Sequence, residues 1–307
     1  MISRRPLRIR SFQFLFSYFK QTPIPSIEMI KRQCFQSFDK TYNFYLMFLS
    51  LLDEFRILEL NEANTQKTKY IRKAEVWTPV FSNHPFLLAL KEHKVFYQIL
   101  QNRQVNFGKD PDWIISVYKN LKQEAFYKEY VQKKEFSREA SILFLEQVVG
   151  DYLYNHELVE HFFEEESMFP FDDLFISLNN VHKNIEEFEK NNSFFVLPMF
   201  KDEEKDRKFV EDLLEYTAQQ YFNFDTYIAK YSKNWELERI NFSDLLLLKM
   251  CLVEIIYMPD IPLRTSIDEY VEISKEYSTP QSYVFINGLL VGLIDDLQKK
   301  DLIKKSV

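Results

Sequence analysis

The stretch from Asp260 to Leu290, DIPLRTSIDEYVEISKEYSTPQSYVFINGLL, carries the signals that decide the fold. The Ile-Pro pair near its start marks a break, because proline is excluded from helix interiors. Beyond the break, Ser266 with Glu269 three residues later matches a helix-capping box. Thr279 followed by Pro280 predicts a second helix start, since proline is favoured in the first turn of a helix. The stretch therefore predicts two consecutive helices joined by a short turn.

Helical patterns of the same kind run through the rest of the chain and predict an all-α fold. Four glycines in 307 residues leave little room for strand turns or glycine-rich loops. The longest pattern runs from residue 27 to residue 60, with apolar residues three and four positions apart, and Ser26 before it is a suitable N-cap. The polar segment 61–69 predicts a linker or a frayed helix end.

The C-terminal third has the most regular patterns. Residues 206–235 predict one amphipathic helix that leads to Trp235. The segment 240–258, INFSDLLLLKMCLVEIIYM, is so apolar that we expect it to be the central helix, with Ser243 as its N-cap. Upstream of these patterns, shorter helical segments are separated by breaks that contain Pro, Gly or Asn, as helix connections do. These breaks read SNHP, FGKDPD, MFPFDD and NNSFFVLP.

The patterns divide the chain into three regions. Residues 1–60 hold a basic arm and helices, residues 61–200 an additional helical region, and residues 201–307 a C-terminal helical subdomain. A chain of 307 residues is long enough to bury a sizeable core, in one large domain or two small ones.

Composition indicates a globular, cytoplasmic protein, with 46% hydrophobic and 28% charged residues. Cys34 and Cys251 are far apart, and neither belongs to a Cys-x-x-Cys pair, so we expect two reduced thiols. The longest apolar stretch, Leu245–Met258, contains charges and is shorter than the about 20 residues that a membrane span needs. The start SRRPLR is similar to a twin-arginine export signal, but no cleavage site follows, and we expect no export and no membrane association.

Motifs that indicate an enzyme or a metal site are absent from the sequence. His156 and His161 stand five residues apart, whereas a zinc-binding pair on one helical face needs a spacing of four. The chain has no Gly-x-Gly-x-x-Gly turn, no P-loop and no Gly-x-Ser-x-Gly elbow, and its acidic runs are typical of solvated surfaces. We therefore predict a binding protein with no catalytic residue, no metal and no cofactor.

The basic arm, residues 1–20, is the exception in a chain of formal net charge -7. It contains Lys20 and no acid, and its arginines are Arg4, Arg5, Arg8 and Arg10. Arginine binds phosphate through paired hydrogen bonds, and a dense cluster releases counterions from nucleic acid. On a helix, the aromatic side chains of the arm pack inward while its first turns hold guanidinium groups outward. The arm therefore predicts RNA or DNA binding, with an ordinary solvated terminus as the alternative.

Several of these stretches together resemble the NusB family of transcription antitermination factors. In that family, Ile-Pro precedes an Asn-Glu-Ala-x-Glu-Leu-Ala-Lys helix and then a Ser-x-x-Phe-Val-Asn-Gly-x-Leu helix. The matching positions here are Ile261-Pro262, Ile267–Glu269 with Val271–Lys275, and Ser282 with Phe285–Leu289. Residues 238–257 are similar to the family's central helix and residues 3–19 to its arginine-rich start. The resemblance covers about the first 20 and the last 105 residues.

The resemblance implies an all-α fold of two small helical subdomains that binds RNA. Family members recognise the boxA RNA element together with NusE, a ribosomal protein. They help the RNA polymerase elongation complex to read through terminators, notably on ribosomal RNA operons. Carried over, the RNA contacts fall on Arg4, Arg5, Arg8, Ser282, Tyr283 and Phe285, and Arg10 joins them as part of the arm. Asp244 matches an acidic position of the central helix and is predicted to face NusE.

The chain departs from the family pattern in three ways. Pro6 replaces a residue that is often basic, Pro280-Gln281 stands where Glu-Asp is frequent, and residues 60 to 200 have no counterpart in compact members. Core packing is the alternative role for Phe285, and a charge stabilised by the helix dipole is the alternative for Asp244.

Two other functions stay open. One is a helical protein-interaction scaffold whose additional region is the working surface and which does not bind specific RNA. The other is an enzyme, because a domain similar to NusB also precedes an RNA cytosine methyltransferase domain. That function needs a cofactor-binding sheet with a glycine-rich turn, for which the sequence gives no sign.

Overall fold

A computed structural model describes residues 1–68, 78–108, 111–133, 136–232, 239–300 and 302–303. Within these ranges the chain folds into fourteen α-helices and one π-helix without a named strand, which confirms the predicted all-α class. A single bridge pairs Ile2 with Phe200 in the described part.

The helices follow one another along the chain with short connections. In order they are α1 Arg4–Lys20, α2 Ile27–Thr68, α3 Pro85–Glu92, α4 Lys94–Arg103, α5 Asp112–Leu121, α6 Ala125–Val131, α7 Arg138–Gln147, the π-helix Val148–Leu153, α8 Glu157–Glu166, α9 Pro170–Asn191, α10 Glu203–Gln220, α11 Asp225–Tyr231, α12 Phe242–Tyr257, α13 Leu263–Tyr277 and α14 Ser282–Lys299.

These helices form two compact units. Unit 1 comprises Met1 and Ser37–Met199, and unit 2 comprises Ile2–Gln36 and Phe200–Val307. The chain therefore leaves unit 2 within α2 and returns to it at Phe200. The division into three regions at residues 60 and 200 stays a prediction.

Unit 2 is built around α12, as its apolar sequence predicts. This helix packs against α1, α10, α13 and α14. Every side chain from Leu246 to Ile255 is buried, including Lys249 and Glu254. The helix is capped by Asn241, whose side chain accepts a hydrogen bond from the backbone of Ser243, so the predicted cap is displaced by two residues.

Two of the predicted helix starts are wrong. The hydroxyl groups that were expected to cap these helices bind other side chains. Helix α13 begins at Leu263, so Ser266 lies within it and donates its hydroxyl to Glu254 at 2.8 Å rather than capping. Helix α14 begins at Ser282 instead of Thr279. The hydroxyls of Ser282 and Thr279 lie 2.7 Å apart just before that start.

The single helix predicted for residues 206–235 is two helices, α10 and α11. The break between them places Asp225 at the start of α11, where its carboxylate lies 2.6 Å from the buried ammonium of Lys249. A buried charge needs such a partner. Trp235 lies outside the described residues.

Unit 1 contains most of α2 together with α3 to α9 and the π-helix. Of the two alternatives for 61–69, the linker is wrong as far as Thr68, because α2 continues to that residue as the helix-end alternative expects; Lys69 lies outside the described residues. The interior is aromatic, with the rings of Phe48 and Phe163 stacked at 5.6 Å and those of Tyr130 and Phe144 at 4.3 Å. Gly108, with φ of 84°, occupies one of the predicted breaks.

The five histidines have structural partners. His84, His93 and His156 are the N-caps of α3, α4 and α8, and each accepts a backbone hydrogen bond. His161 and His182 are partly exposed beside glutamates four residues later. No group of three or more potential metal ligands occurs in the described residues. No helix there is long and apolar enough to cross a membrane.

Candidate nucleic-acid interface

The basic arm forms α1, and its charges do not all reach the surface. Leu7 and Leu15 are fully buried, as expected for an amphipathic helix. The side chains of Arg8 and Arg10, however, are only 2% and 1% exposed. The expectation that the first turns hold all their guanidinium groups outward is therefore wrong for these two residues.

Arg8 is committed to a buried network in the centre of unit 2. Its guanidinium binds both carboxylate oxygens of Glu254 on α12, at 2.8 and 2.7 Å. The same carboxylate accepts hydrogen bonds from the hydroxyls of Ser266 at 2.8 Å and Tyr270 at 3.3 Å, both on α13. The network joins α1, α12 and α13 through one fully buried glutamate.

The physical cause of the burial of Arg8 is the charge of Glu254. An unpaired carboxylate in the interior of α12 is strongly unfavourable, and a guanidinium that makes two hydrogen bonds compensates it. Burial lowers the pKa of Arg8, but its pair with Glu254 more than offsets this, so the pKa rises and the group stays charged. Arg8 as placed cannot reach a phosphate.

Arg10 is buried in a second place. Its positive charge lies near the thiol of Cys34, whose pKa is raised to about 12 by burial and is partly lowered by Arg10. Cys34 has no disulfide partner and is fully buried. Arg10 therefore belongs to the interior between α1 and α2, and direct RNA contact is not available to it.

Arg4 and Arg5 are partly exposed and paired with carboxylates. Arg5 makes a two-pronged pair with Glu269 on α13, at 2.9 and 3.1 Å. Arg4 lies 2.8 Å from Asp206 on α10, with its guanidinium 4.4 Å from the ring centre of Phe209. The Arg4 and Arg5 side chains are 37% and 45% exposed, so both can contact a phosphate while they stay paired.

A separate concave surface lies between the starts of α12 and α14, which we call the α12–α14 groove. Its volume is about 600 Å³. The residues that line it are Arg239, Ile240, Asn241, Asp244, Thr279, Gln281, Ser282, Tyr283, Val284 and Phe285. The lining includes the four C-terminal residues that the sequence singled out. Asp244 lies about 40 positions before the other three in the chain, which are Ser282, Tyr283 and Phe285.

Two of these residues form the floor of the groove. Asp244 is 6% exposed, and its Oδ2 accepts a hydrogen bond of 2.8 Å from the hydroxyl of Ser282. Its other oxygen, Oδ1, is buried and has no hydrogen-bond partner within the described residues. Ser282 is also buried, so it orients Asp244 and offers little surface to RNA. The orientation of Asp244 toward NusE stays a prediction, and its burial leaves little of the side chain for contact with a protein.

Tyr283 and Phe285 form the aromatic wall. Tyr283 is exposed and Phe285 is partly buried. The ammonium of Lys275 lies 5.3 Å from the ring centre of Tyr283. Outside the lining of the groove, the ammonium of Lys20 lies 4.2 Å from the ring centre of Phe242, the first residue of α12.

Two cations at this groove, Lys275 and Arg239, had no predicted role. Lys275 lies within a matched family motif, and Arg239 precedes the central helix. A signal for Lys275 was present, because it stands eight residues before Tyr283 across a single predicted turn. Arg239 meets the residues of α14 only through tertiary packing, which no local pattern reports.

The C-terminal half of the basic arm packs against the start of α12 and the end of α13. The ring of Phe16 lies 5.0 Å from that of Phe242, and the ring of Phe12 lies 5.8 Å from that of Tyr277, the last residue of α13. Arg5 instead pairs with Glu269, eight residues before Tyr277 on the same helix and so about 12 Å further along it.

Comparison with known proteins gives a consistent result. The sequence model of the NusB family matches residues 174–295. Over 102 residues the chain is 35% identical to the transcription antitermination protein NusB of Chloroherpeton thalassium. The aligned segment covers 33% of this chain and 48% of that protein. Over 92 residues it is 36% identical to the NusB protein of Natranaerobius thermophilus, covering 30% and 66%. Over 125 residues it is 30% identical to that of Clostridium acetobutylicum, covering 41% and 87%.

The extent of these matches differs between relatives. The chain spans about half the length of the Chloroherpeton protein, two thirds of the Natranaerobius protein and most of the Clostridium protein. No solved structure matches the chain.

Proposed function

Because the chain belongs to the NusB family, we propose that it is a non-catalytic transcription antitermination factor that binds single-stranded RNA in the α12–α14 groove. The observation that carries the proposal is an exposed ring, that of Tyr283, on one concave surface whose lining includes Arg239, with the ammonium of Lys275 5.3 Å from the ring centre. Such a surface fits an unpaired RNA segment, because bases stack on aromatic side chains and cations hold the backbone.

Each group has a distinct role in this proposal. Tyr283 stacks on one unpaired base, while Lys275 and Arg239 bind the flanking phosphates. Asp244 is buried, and its hydrogen bond with Ser282 fixes the floor of the groove.

Arg4 and Arg5 supply further phosphate contacts along α1. They are the two arginines of the arm whose side chains reach solvent. Arg8 and Arg10 act indirectly, because they fix α1 in the interior of unit 2. Within the cytoplasm, we propose that the RNA is a boxA-type element, that NusE binds with it, and that the complex acts on RNA polymerase during transcription of ribosomal RNA operons.

The experiment is a gel shift of the full chain against a boxA-like RNA and a scrambled RNA of equal length, with and without NusE. We expect the boxA-like RNA to bind more tightly, and its affinity to rise when NusE is added. Affinity for both RNAs should fall as salt increases, because phosphate contacts release counterions. If neither RNA binds in the presence of NusE, the proposal is wrong.

A further inference from the structure

Unit 1 contains the most acidic stretch of the chain, residues 139–182. These 44 residues include ten carboxylates and neither lysine nor arginine. They form most of α7, the π-helix, α8 and the first half of α9. The acidic residues are Glu139, Glu146, Asp151, Glu157, Glu160, Glu164, Glu165, Glu166, Asp172 and Asp173. Asp173 is buried, and Glu166 lies 3.8 Å from the ammonium of Lys40.

The same stretch exposes large apolar side chains. Met168 is 77% exposed, Phe171 69% and Phe175 56%, and Leu143 and Tyr154 are exposed as well. Single exposed apolar residues are ordinary, but several aromatic residues on one helix face are typical of an interaction site. Phe171 and Phe175 are four residues apart on α9 and therefore share a face.

A groove between the π-helix and α9 continues this apolar face. Its volume is about 360 Å³, and Val149, Gly150, Tyr154, Phe175, Leu178, Asn179 and His182 line it. The rings of Tyr154 and Phe175 meet edge to face at 6.5 Å across it. A side chain added at Gly150 would meet no atom within 4 Å, so the floor of the groove is open at this residue. π-Helices of one or two turns are rare and often occur at functional sites.

We propose that this groove docks an amphipathic helix of a protein partner that carries apolar anchors on one face and lysine or arginine on its flanks. Helices bind other proteins by placing apolar side chains into grooves of this kind. Aromatic residues provide the anchors at most such contacts. The exposed carboxylates of the acidic stretch complement basic flanks and speed association with them.

The charge of the surface argues against two other occupants. An RNA strand carries one negative charge per nucleotide, and a segment with ten carboxylates and no arginine or lysine in 44 residues repels it. A second copy of this chain would place the same carboxylates opposite one another, which is unfavourable across a symmetric interface. A basic protein helix satisfies both the apolar and the acidic features.

The test uses the full chain and two fluorescent synthetic helices of about 18 residues. One has leucines on one face and lysines on the other, and its match replaces every lysine with glutamate. Fluorescence anisotropy at physiological salt measures the affinity of each peptide. The variants are Phe175→Ser, which removes an anchor, and Gly150→Trp, which fills the groove. Phe222→Ser is the control, because Phe222 is as exposed as Phe171 but lies in unit 2.

We expect the lysine peptide to bind and the glutamate peptide not to bind. Phe175→Ser and Gly150→Trp should each lower the affinity for the lysine peptide by about tenfold or more. Phe222→Ser should change this affinity less than about twofold. None of the three variants changes the charge of the protein. If the peptide is held only by non-specific charge attraction, all variants bind it with the same affinity. Equal affinities would therefore overturn the proposal. It is also overturned if a single-stranded RNA displaces the peptide, or if Phe175→Ser converts a dimer to a monomer in analytical ultracentrifugation.

Discussion

The basic arm and the acidic stretch are the two most charge-biased segments of this chain, and they use their charges in opposite ways. In the arm, Arg8 and Arg10 are buried, and Arg4 and Arg5 are paired with carboxylates of other helices. In the acidic stretch, most carboxylates face solvent, and the same segment exposes aromatic rings. The arm therefore uses its charge to hold unit 2 together, whereas the acidic stretch offers its charge to the outside.

The difference shows that charge density in a sequence does not measure accessible charge. What decides accessibility is the position of each residue around the helix relative to the interior. Arg8 faces α12, where a buried glutamate needs a counter-charge, whereas the carboxylates of α8 lie on its solvent side. Each of the following predictions tests one side of this comparison.

The largest expected effect comes from removing the buried charge of the arm. Arg8→Met leaves Glu254 buried without a counter-charge and should lower the free energy of unfolding by about 3 to 5 kcal/mol. Urea unfolding followed by circular dichroism measures the change. Arg5→Met, which removes a partly exposed pair, is the matched control and should cost at most about 1 kcal/mol. Equal costs for the two variants would contradict the structural role of Arg8.

The second prediction concerns a neutral histidine that holds the acidic stretch in unit 1. Nδ1 of His84 accepts from the backbone of Phe86, and Nε2 donates to the carbonyl of Ser141 at 2.9 Å. Burial lowers the pKa of His84 from 6.5 to about 4. The contribution of neutral His84 to the free energy of unfolding is therefore complete above pH 6.5. It is lost as the pH falls toward 4, and the loss amounts to at most about 3 kcal/mol.

Urea unfolding between pH 7 and pH 4, for the wild type and His84→Asn, tests this dependence. Asparagine is also a good N-cap but does not titrate, so the variant should lose less stability than the wild type over this range. An unchanged pH dependence in the variant would show that other groups cause it.

The third prediction concerns the α12–α14 groove. Tyr283→Ala removes the proposed stacking surface and should weaken RNA binding by about 1 to 3 kcal/mol, which is roughly 5- to 150-fold. Tyr257→Ala is the matched control, because Tyr257 is a similarly exposed tyrosine of unit 2 outside the groove. Filter binding measures both affinities, and an equal loss in the two variants would remove the groove from the proposal.

The smallest expected effect concerns the exposed arginines of the arm. The double variant Arg4→Ala/Arg5→Ala should reduce the slope of log affinity against log salt by at most about 2, since each arginine provides one phosphate contact. Titrations of RNA at several salt concentrations give the slope. A much larger reduction, or complete loss of binding, would show that the arm rather than the groove holds the RNA.

The sequence predicted the fold class and the central place of α12, because apolar periodicity and proline breaks are local signals. The family resemblance also singled out Asp244 and residues of α14, but assigned them to two different partners. The sequence did not predict the burial of Arg8, since the cause is Glu254, which lies 246 residues away in the chain. The position of Arg239 at the groove likewise depends on packing between distant helices.

The most direct test of the account is to map where RNA touches the chain. Ultraviolet crosslinking of a uridine-containing RNA to the full protein, followed by mass spectrometry of the tryptic peptides, identifies the contacted residues. We predict crosslinks in the peptides that contain Tyr283 and Ile240, at the two sides of the α12–α14 groove. Crosslinks confined to the first ten residues, or found in the acidic stretch of unit 1, would contradict the account.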